Sequence, residues 1–294
     1  MMLEDELKKK QALILGILND YLPSNPSAEN GMVIDAMRYS LFAGGKRIRP
    51  LFMQAAFEAC GGKGNALNAF MAAIEMIHTY SLIHDDLPAM DNDDLRRGLP
   101  TCHVVYGENI AILAGDALLN KAFEIIIEEA VNNWESSVLL AMKELGTAAG
   151  FNGMIGGQVA DVLSENKEVD LNLLNYIHLH KTSALIEAAF VIGALLAGGI
   201  EGEVERFRQI GKCIGLAFQI QDDLLDVLGT AQELGKPLGS DEKNSKATYV
   251  TLLGIEASKQ IVDEKFSLAI ALLEEFPASE FLVNYLNTLK TRRN

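Results

Sequence analysis

Residues 85–94 contain five aspartates, and two arginines follow them closely. Like charges at this density repel one another, so a folded protein keeps them on a hydrated surface or around cations. Carboxylate oxygens suit Mg²⁺, which binds through a few carboxylates and shares its other positions with water and substrate phosphates. Arg96 and Arg97 suit an anion beside that metal. For this stretch taken alone, a solvated acidic loop is the alternative.

A second acidic cluster lies farther along the chain, on a strongly helical stretch. Asp222, Asp223 and Asp226 follow Gln219 at i+3, i+4 and i+7, which places all four side chains on one helical face. Carboxylates at i and i+4 repel each other unless a positive charge lies between them. Because residues 214–220 are too apolar for a solvated helix, this cluster favours metal binding.

Basic side chains accompany both clusters. Lys46, Arg47 and Arg49 follow Gly44 and Gly45 at a predicted helix start, where backbone N–H groups, the helix dipole and the cations favour a phosphate. The loop is not a Walker P-loop, because no Ser or Thr follows the lysine. Lys181 lies mid-helix beside His178 and His180, and Lys236 and Lys246 flank the loop after the second aspartate cluster. Basic side chains placed with acidic clusters, in a chain that is acidic overall, indicate a pocket that binds Mg²⁺ and a polyanion together.

Composition narrows the function classes. The chain has 294 residues, 49% of them hydrophobic, and a formal net charge of −15 without any basic tract, so nucleic acid is not an expected partner. Three widely spaced cysteines form no CxxC pair, which fits a reducing compartment. Residues 1–10 do not resemble a signal peptide, and the apolar stretch 188–200 is too short to span a bilayer. We expect a cytoplasmic protein.

Apolar residues recur at helical spacing along most of the chain, and almost no segment alternates as a strand would. The predicted helices cover 7–22, 31–43, 51–59, 66–84, 109–130, 136–149, 171–196, 204–227, 248–275 and 279–289. The sequence therefore predicts one all-α domain over 1–294, a bundle of about ten helices with sites in its core.

Six motifs occur in order: GGKRIRP (44–50), HDDLPAMDNDDLRRGLPTCH (84–103), GQVAD (157–161), KT (181–182), FQIQDDLLD (218–226) and LGKPLGSDEKNSKATY (234–249). Together they resemble the trans-isoprenyl diphosphate synthases, over about residues 43–254. Pro88 and Ala89 are the two extra residues typical of the bacterial short-chain enzymes that make farnesyl diphosphate. One departure is Lys246-Ala247-Thr248-Tyr249-Val250, where the family has Lys-Ser/Thr-Thr-Tyr-Pro; the local turn is therefore in doubt.

The resemblance implies a helical bundle around a central cavity, a homodimer and three Mg²⁺ per active site, replaceable by Mn²⁺. The implied metal ligands are Asp85, Asp86 and Asp91 for two ions and Asp222, with Asp223 and Asp226, for the third. The allylic diphosphate would be bound by Arg96, Lys181, Thr182, Gln219, Lys236 and Lys246. The diphosphate of isopentenyl diphosphate would be bound by Lys46, Arg49, His78 and Arg97. The implied catalytic residues are Asp85, Asp86, Asp91, Arg96, Lys181, Asp222, Asp223 and Lys236.

The implied reaction is ionisation of an allylic diphosphate, attack by the double bond of isopentenyl diphosphate, and loss of a proton to the released diphosphate. Metals and cations would stabilise the charge that develops on the leaving group. Water must be kept away from the carbocation. The segment 229–246 and the tail at Arg292 and Arg293 are the predicted mobile elements for this task.

Tyr80 lies five residues before Asp85, about 7–8 Å along the helix axis. An aromatic ring there would form a floor under the growing isoprenoid, which Ser81 alone would not block. In the bacterial enzymes that the sequence resembles, an aromatic residue at this position accompanies a fifteen-carbon product, so the resemblance implies that product here. For Tyr80, the alternative is an ordinary packing role in the core. Without the family resemblance, a core position would also be the expectation for His78. Gln158 and Asp161 could support the site or be purely structural.

Three other functions fit parts of the sequence. A geranylgeranyl or longer-chain polyprenyl diphosphate synthase shares every motif except the floor. A class I terpene cyclase shares the first aspartate motif but is not expected to contain GGKRIRP or the second aspartate motif. A non-catalytic subunit of a heteromeric prenyl synthase would typically lack aspartates or basic residues that are present here.

Overall fold

The computed structural model describes residues 2–22, 29–228 and 247–291, and these are almost entirely helical, as predicted. The helices are α1 (Met2–Tyr21), α2 (Gly31–Phe42), α3 (Ile48–Ala59), α4 (Ala66–Asp85), α5 (Cys102–Tyr106), α6 (Glu108–Asn132), α7 (Ser136–Ala149), α8 (Met154–Ser164), α9 (Leu171–Ile177), a π-helical turn (His178–Ser183), α10 (Ala184–Leu196), α11 (Glu201–Leu228), α12 (Tyr249–Leu253), α13 (Ile255–Leu273) and α14 (Glu280–Lys290). Two short strands, β1 (Leu95–Arg96) and β2 (Leu99–Pro100), pair antiparallel.

The backbone forms two compact units. Unit 1 consists of Met1–Leu51 and Gly64–Val138, and unit 2 of Phe52–Lys63 and Leu139–Asn294. The first aspartate cluster and the glycine-lysine loop belong to unit 1, whereas the second cluster belongs to unit 2. A single domain over 1–294 around a central cavity stays a prediction.

Helix α4 forms the core of unit 1. Its residues are apolar on nearly all faces, with Phe70 and Ile74 fully buried, and it packs against α1, α2 and α6. A Cβ at Gly115 of α6 would lie 2.1 Å from His84 Nε2, so glycine at this position leaves room for the imidazole ring near the end of α4. This packing fixes the helix that carries the first aspartates.

Helix α11 packs against α10 and α13 in unit 2. Phe190 of α10 stacks on Phe52 of α3 with ring centroids 4.6 Å apart, and on Phe207 of α11 at 6.3 Å. A Cβ at Gly193 would lie 2.3 Å from the Met53 carbonyl oxygen, so α10 and α3 approach at backbone distance. The helix bearing the second cluster is therefore held in an apolar core.

The structure differs from the predicted helices at several places, for reasons that lie in the local backbone. The single helix predicted at 248–275 is two helices, because Gly254 has a φ of 85° and separates α12 from α13. The sequence pattern does not predict α5, which has five residues, or α8, where Gly156 and Gly157 lower the intrinsic helix propensity. Each strand of the small hairpin has two residues, too few for an alternating pattern.

Two helical stretches of the described chain have the length and hydropathy of a membrane span, Ala66–Asp85 and Leu171–Leu196. In their most apolar windows, 72% and 56% of the residues are buried inside the protein. A core helix of a folded domain satisfies the same criteria, so these stretches are weak indications of a membrane protein.

Candidate active site

The first aspartate cluster begins where α4 ends. After Asp85 the chain turns sharply: the Leu87 N–H donates to the His84 carbonyl at 3.2 Å, and the Asp91 N–H donates to the Asp85 carbonyl at 2.9 Å. Asn92 completes the turn with a φ of 52°, a conformation that asparagine tolerates. The turn thus brings the backbones of Asp85 and Asp91 together, and both residues are partly exposed.

Asp86 has a different environment. It is 3% exposed, and Arg96 Nε lies 2.8 Å from each of its carboxylate oxygens while Arg96 Nη2 donates to Oδ1 at 2.5 Å. Burial alone would lower the pKa of Arg96, but the hydrogen bonds and charge of Asp86 raise it overall. Asp86 therefore holds Arg96 in place through a charge-assisted pair, a role that the sequence does not predict.

The loop after α2 is anchored by Arg47. This side chain is buried, donates to Glu75 Oε1 at 2.7 Å, and donates to the Leu41 carbonyl at 2.5 Å. Arg47 itself has a φ of 52°, and Gly44 and Gly45 also have positive φ. The sequence groups Arg47 with the anion-binding cations, but in the structure it fixes the loop that carries Lys46 and leads to Arg49 at the start of α3.

Arg97 packs across the same loop. Its Nη1 donates to the Gly44 carbonyl, and a Cβ at Gly45 would lie 2.6 Å from its Cζ. Any side chain at Gly45 would displace the guanidinium, and the φ of 111° there also requires glycine. The two glycines therefore bring Arg97 against the loop.

His78 of α4 lies among these cations. Burial lowers its pKa well below 6.5, and Arg49, Arg97, Arg96 and Arg47 lower it further. The lowered pKa favours the neutral imidazole, which can act as a hydrogen-bond donor without adding charge. Three of the four residues predicted to bind isopentenyl diphosphate, Arg49, His78 and Arg97, are thus neighbours, and the fourth, Lys46, belongs to the same loop.

Tyr80 is buried in α4, with 6% of its surface exposed, and its ring meets the His84 ring edge to face at 5.8 Å. Burial, followed by the charge of Asp85, raises the pKa of Tyr80 to about 12. Ser81 is partly exposed, and its Oγ donates to the His78 carbonyl at 2.9 Å. Tyr80 is therefore a buried aromatic ring close to Asp85, and its role as a floor stays a prediction.

In unit 2, the π-helical turn carries two of the residues predicted to bind the allylic diphosphate, Lys181 and Thr182. Lys181 Nζ lies 2.6 Å from Asp161 Oδ2 on α8, and Thr182 Oγ1 donates to Gln219 Oε1 on α11 at 2.8 Å. From the sequence, Asp161 could support the site or be purely structural. In the structure, its carboxylate pairs with the Lys181 ammonium. The structure thus links Thr182 to Gln219 directly.

The second cluster divides by burial. Asp222 and Asp226 are partly exposed, whereas Asp223 is 3% exposed and accepts the Tyr249 N–H at 3.0 Å. Next to it, His178 stacks on the Tyr249 ring, and burial lowers its pKa to about 4. Asp223 therefore ties α11 to the start of α12, while the other two carboxylates are more accessible to a metal.

The exposed carboxylates fit Mg²⁺ chemically. Asp85, Asp91, Asp222 and Asp226 offer the oxygen donors that this ion prefers. Within residues 2–22, 29–228 and 247–291, no three His, Cys, Asp or Glu side chains are gathered as a ready metal-binding group. Mg²⁺ sites that use one or two carboxylates and complete their shell with water and substrate phosphates need no such group.

Some predicted residues cannot be placed. Lys236, Lys246, the segment 229–246 and Arg292-Arg293 lie outside the residues that the structure describes. Sequence reasoning also missed the Arg47–Glu75 pair, although a lone glutamate within the apolar run of α4 is its signal. It also missed the stacking of His178, the first residue of the π turn, on Tyr249, because the two residues are far apart in the sequence.

Comparisons with known proteins agree with this geometry. Residues 31–274 match the polyprenyl synthetase family. The chain is 44% identical to a farnesyl diphosphate synthase of Micrococcus luteus, covering 99% of this chain and 97% of that protein. It is 49% identical to a chloroplastic geranylgeranyl pyrophosphate synthase of Capsicum annuum, covering 84% and 68%.

Solved structures show the same relationship. The crystal structure of an FPP/GFPP synthase from Zymomonas mobilis superposes with a TM-score of 0.87 at 34% identity, covering 98% of this chain and 99% of that one. A geranyltransferase from Legionella pneumophila gives a TM-score of 0.87 at 32% identity, covering 99% and 98%. The recognised motifs, the all-α fold and these matches agree, and the chain belongs to the polyprenyl synthetase family of prenyltransferases.

Proposed function

We propose that this prenyltransferase makes (2E,6E)-farnesyl diphosphate, by condensing isopentenyl diphosphate with dimethylallyl and then geranyl diphosphate. The observation that carries the product length is Tyr80, a buried aromatic ring five residues before Asp85 on α4. A relative from Micrococcus luteus with this activity in its name covers nearly the whole chain. The alternative product is geranylgeranyl diphosphate, because relatives at 49% identity carry that name.

In unit 1 we assign two tasks. Lys46, Arg49, His78 and Arg97 bind the diphosphate of isopentenyl diphosphate, which a neutral histidine and three cations suit by charge and hydrogen bonding. Asp85 and Asp91, with Asp86, hold Mg²⁺, and Arg96 adds a cation for the allylic diphosphate. Of these carboxylates, Asp86 is the least available, since it pairs with Arg96.

In unit 2, Lys181 and Gln219 donate hydrogen bonds to allylic diphosphate oxygens, and the Thr182 hydroxyl exchanges its hydrogen bond to Gln219 Oε1 for one to the diphosphate. Lys236 and Lys246 are further proposed cations. Asp222, with Asp223 and Asp226, holds the third Mg²⁺. When bound, Mg²⁺ (or Mn²⁺) supplies Lewis-acid stabilisation of charge on the leaving diphosphate. The side chains of this chain bind, orient and neutralise the diphosphate, so that the allylic C–O bond breaks heterolytically and the isopentenyl double bond captures the cation. The condensed cation then loses a proton to the released diphosphate, which forms the new double bond.

The functional test is product analysis of the full chain with Mg²⁺, isopentenyl diphosphate and either dimethylallyl or geranyl diphosphate. The proposal predicts an all-trans fifteen-carbon diphosphate from both donors. A twenty-carbon or longer main product would replace it with the longer-chain alternative. A lack of turnover with either donor would favour the non-catalytic subunit.

Replacing Tyr80 with alanine tests the floor. Removing the ring should open space along α4, so we expect the main product to change from fifteen carbons to twenty or more, as resolved by reversed-phase chromatography of the dephosphorylated alcohols. Thr79→Ala is the matched control, because Thr79 is the buried neighbour on the same helix and its hydroxyl donates to the Glu75 carbonyl. A fifteen-carbon product from Tyr80→Ala would refute the floor.

A homodimer and a cytoplasmic location complete the proposal. Unit 1 exposes apolar side chains near the start of α6, including Val105 at 45% and Leu113 at 51%, which a second copy could cover. The cysteines Cys60, Cys102 and Cys213 are all free thiols, as is usual in a reducing compartment. Sedimentation equilibrium of the full chain distinguishes dimer from monomer.

A further inference from the structure

The helix predicted at 171–196 contains a π-helical turn, His178–Ser183, between α9 and α10. A π turn accommodates one extra residue, so the side chains within it point differently from those of a regular α-helix. Such turns are rare and are frequently found at functional sites. Here the turn carries Lys181 and Thr182, both of which are assigned to the allylic diphosphate in the proposed function.

The turn is held from one side by α8. A Cβ at Gly157 would lie 2.1 Å from the Lys181 backbone nitrogen and 2.7 Å from its Cα. These are backbone atoms, so a larger residue could not be accommodated by a side-chain rotation. One turn later on the same helix, Asp161 pairs with the Lys181 ammonium at 2.6 Å. Helix α8 therefore fixes both the backbone and the side chain of the lysine.

Helix α11 holds the turn at a second point. A Cβ at Gly215 would lie 1.8 Å from Ser183 Oγ and 2.7 Å from Ser183 Cα. One turn later, Gln219 of α11 accepts the hydrogen bond from Thr182. Each side of the turn thus combines a glycine that permits backbone contact with a polar partner four residues farther along the same helix.

We propose that Gly157 and Gly215 are positioning residues that clamp the π turn and thereby set where Lys181 and Thr182 meet the allylic diphosphate. The inference rests on the proposed function for the identity of that ligand. A displacement of about 1 Å in a diphosphate-binding group can lower the rate about 10²-fold, so a modest shift of the turn would be detected in kinetics.

The test compares the kinetic constants of Gly157→Ala and Gly215→Ala with those of the wild type. We expect each variant to raise the KM for geranyl diphosphate by about 10-fold or more, or to lower kcat/KM for that substrate by about 10²-fold. The KM for isopentenyl diphosphate should stay within about twofold. Gly202→Ala is the matched control, because Gly202 is also in α11 and has no heavy atom within 4 Å of the added Cβ.

A purely structural role gives a different result. Such a role would lower the unfolding midpoint and the fraction of active molecules, and would leave the KM for geranyl diphosphate unchanged. That outcome, or an equal rise in both KM values, would overturn the proposal. An inactive wild type would instead refute the proposed function, so the two failures are distinguishable.

Two further variants address the geometry directly. Adding Ser183→Ala to Gly215→Ala removes the Oγ that would clash at 1.8 Å, and we expect it to restore part of the lost affinity for geranyl diphosphate. Deleting Leu179, which is 37% exposed, should convert the turn to regular α-helix while circular dichroism shows retained helicity. A folded deletion variant with the wild-type KM for geranyl diphosphate would contradict the proposal.

Discussion

Asp85→Asn is expected to lower kcat by about 10³-fold, which corresponds to about 4 kcal/mol of lost transition-state stabilisation. The substitution keeps the shape of the side chain at the end of α4 but removes the charge that would hold Mg²⁺. Because the proposed function needs the metal to stabilise the leaving diphosphate, the loss should be seen mainly in kcat. It is measured as initial rates at saturating substrate over a range of Mg²⁺ concentrations.

The matched control is Asp94→Asn, an exposed aspartate of the same acidic run that has no proposed role in catalysis. We expect its rate to stay within about twofold of the wild type, since exposed charges are screened by solvent and salt. An equal loss in both variants would mean that the cluster acts through its total charge. A wild-type rate for Asp85→Asn would remove that residue from the mechanism.

Arg47→Met is expected to destabilise the protein by about 3–5 kcal/mol, because it leaves Glu75 buried without its partner. The two side chains are each 2% exposed and lie 2.7 Å apart, so solvent cannot compensate for the lost charge. The carbonyl of Leu41 loses a donor as well. Denaturant unfolding, followed by circular dichroism and referred to the wild type, measures the change.

The double variant Arg47→Met, Glu75→Leu should recover most of that stability, since replacing both charges with apolar groups removes the desolvation cost. The exposed pair Lys259–Glu256 is the control: Lys259→Met should change the unfolding free energy by less than about 1 kcal/mol. A loss below about 1 kcal/mol for Arg47→Met would show that the buried pair does not anchor the loop.

Residue types and spacing predict much of the fold and the chemistry. The helical periodicity gives the all-α class, because apolar residues at helical spacing must face a core. Asp222, Asp223 and Asp226 follow Gln219 at i+3, i+4 and i+7, and the structure confirms that all of them lie in one helix, α11. Both features depend on residues that are close together in the sequence, so a short stretch of sequence is enough to predict each of them.

Features that depend on long-range contacts escape such reasoning. Arg47 looks like its neighbours Lys46 and Arg49 in the sequence, and its burial depends on Glu75, which lies 28 residues away. Asp86 looks like Asp85, but the chain returns through a hairpin and delivers Arg96 to it. In both cases, neighbouring residues of the same charge have different roles, because their partners are far away in the sequence and the local pattern does not reveal them.

The π turn is a further example of a limit set by backbone geometry. Residues 171–196 read as one continuous helix, since the inserted residue shifts the apolar pattern by too little to be noticed. Gly157 and Gly215 lie on other helices, and their close approach to the turn becomes visible only in three dimensions. Gly254 shows the opposite case, where a single positive φ divides a predicted helix.

The central claim is that the chain joins two diphosphate substrates and does not hydrolyse either of them. The most direct test incubates the full chain with geranyl diphosphate and Mg²⁺, with and without isopentenyl diphosphate, and quantifies inorganic diphosphate and farnesyl diphosphate together. We predict one inorganic diphosphate for each farnesyl diphosphate formed, and negligible release when isopentenyl diphosphate is omitted. Release of diphosphate with geraniol as the main organic product, or no Mg²⁺-dependent product at all, would contradict the account.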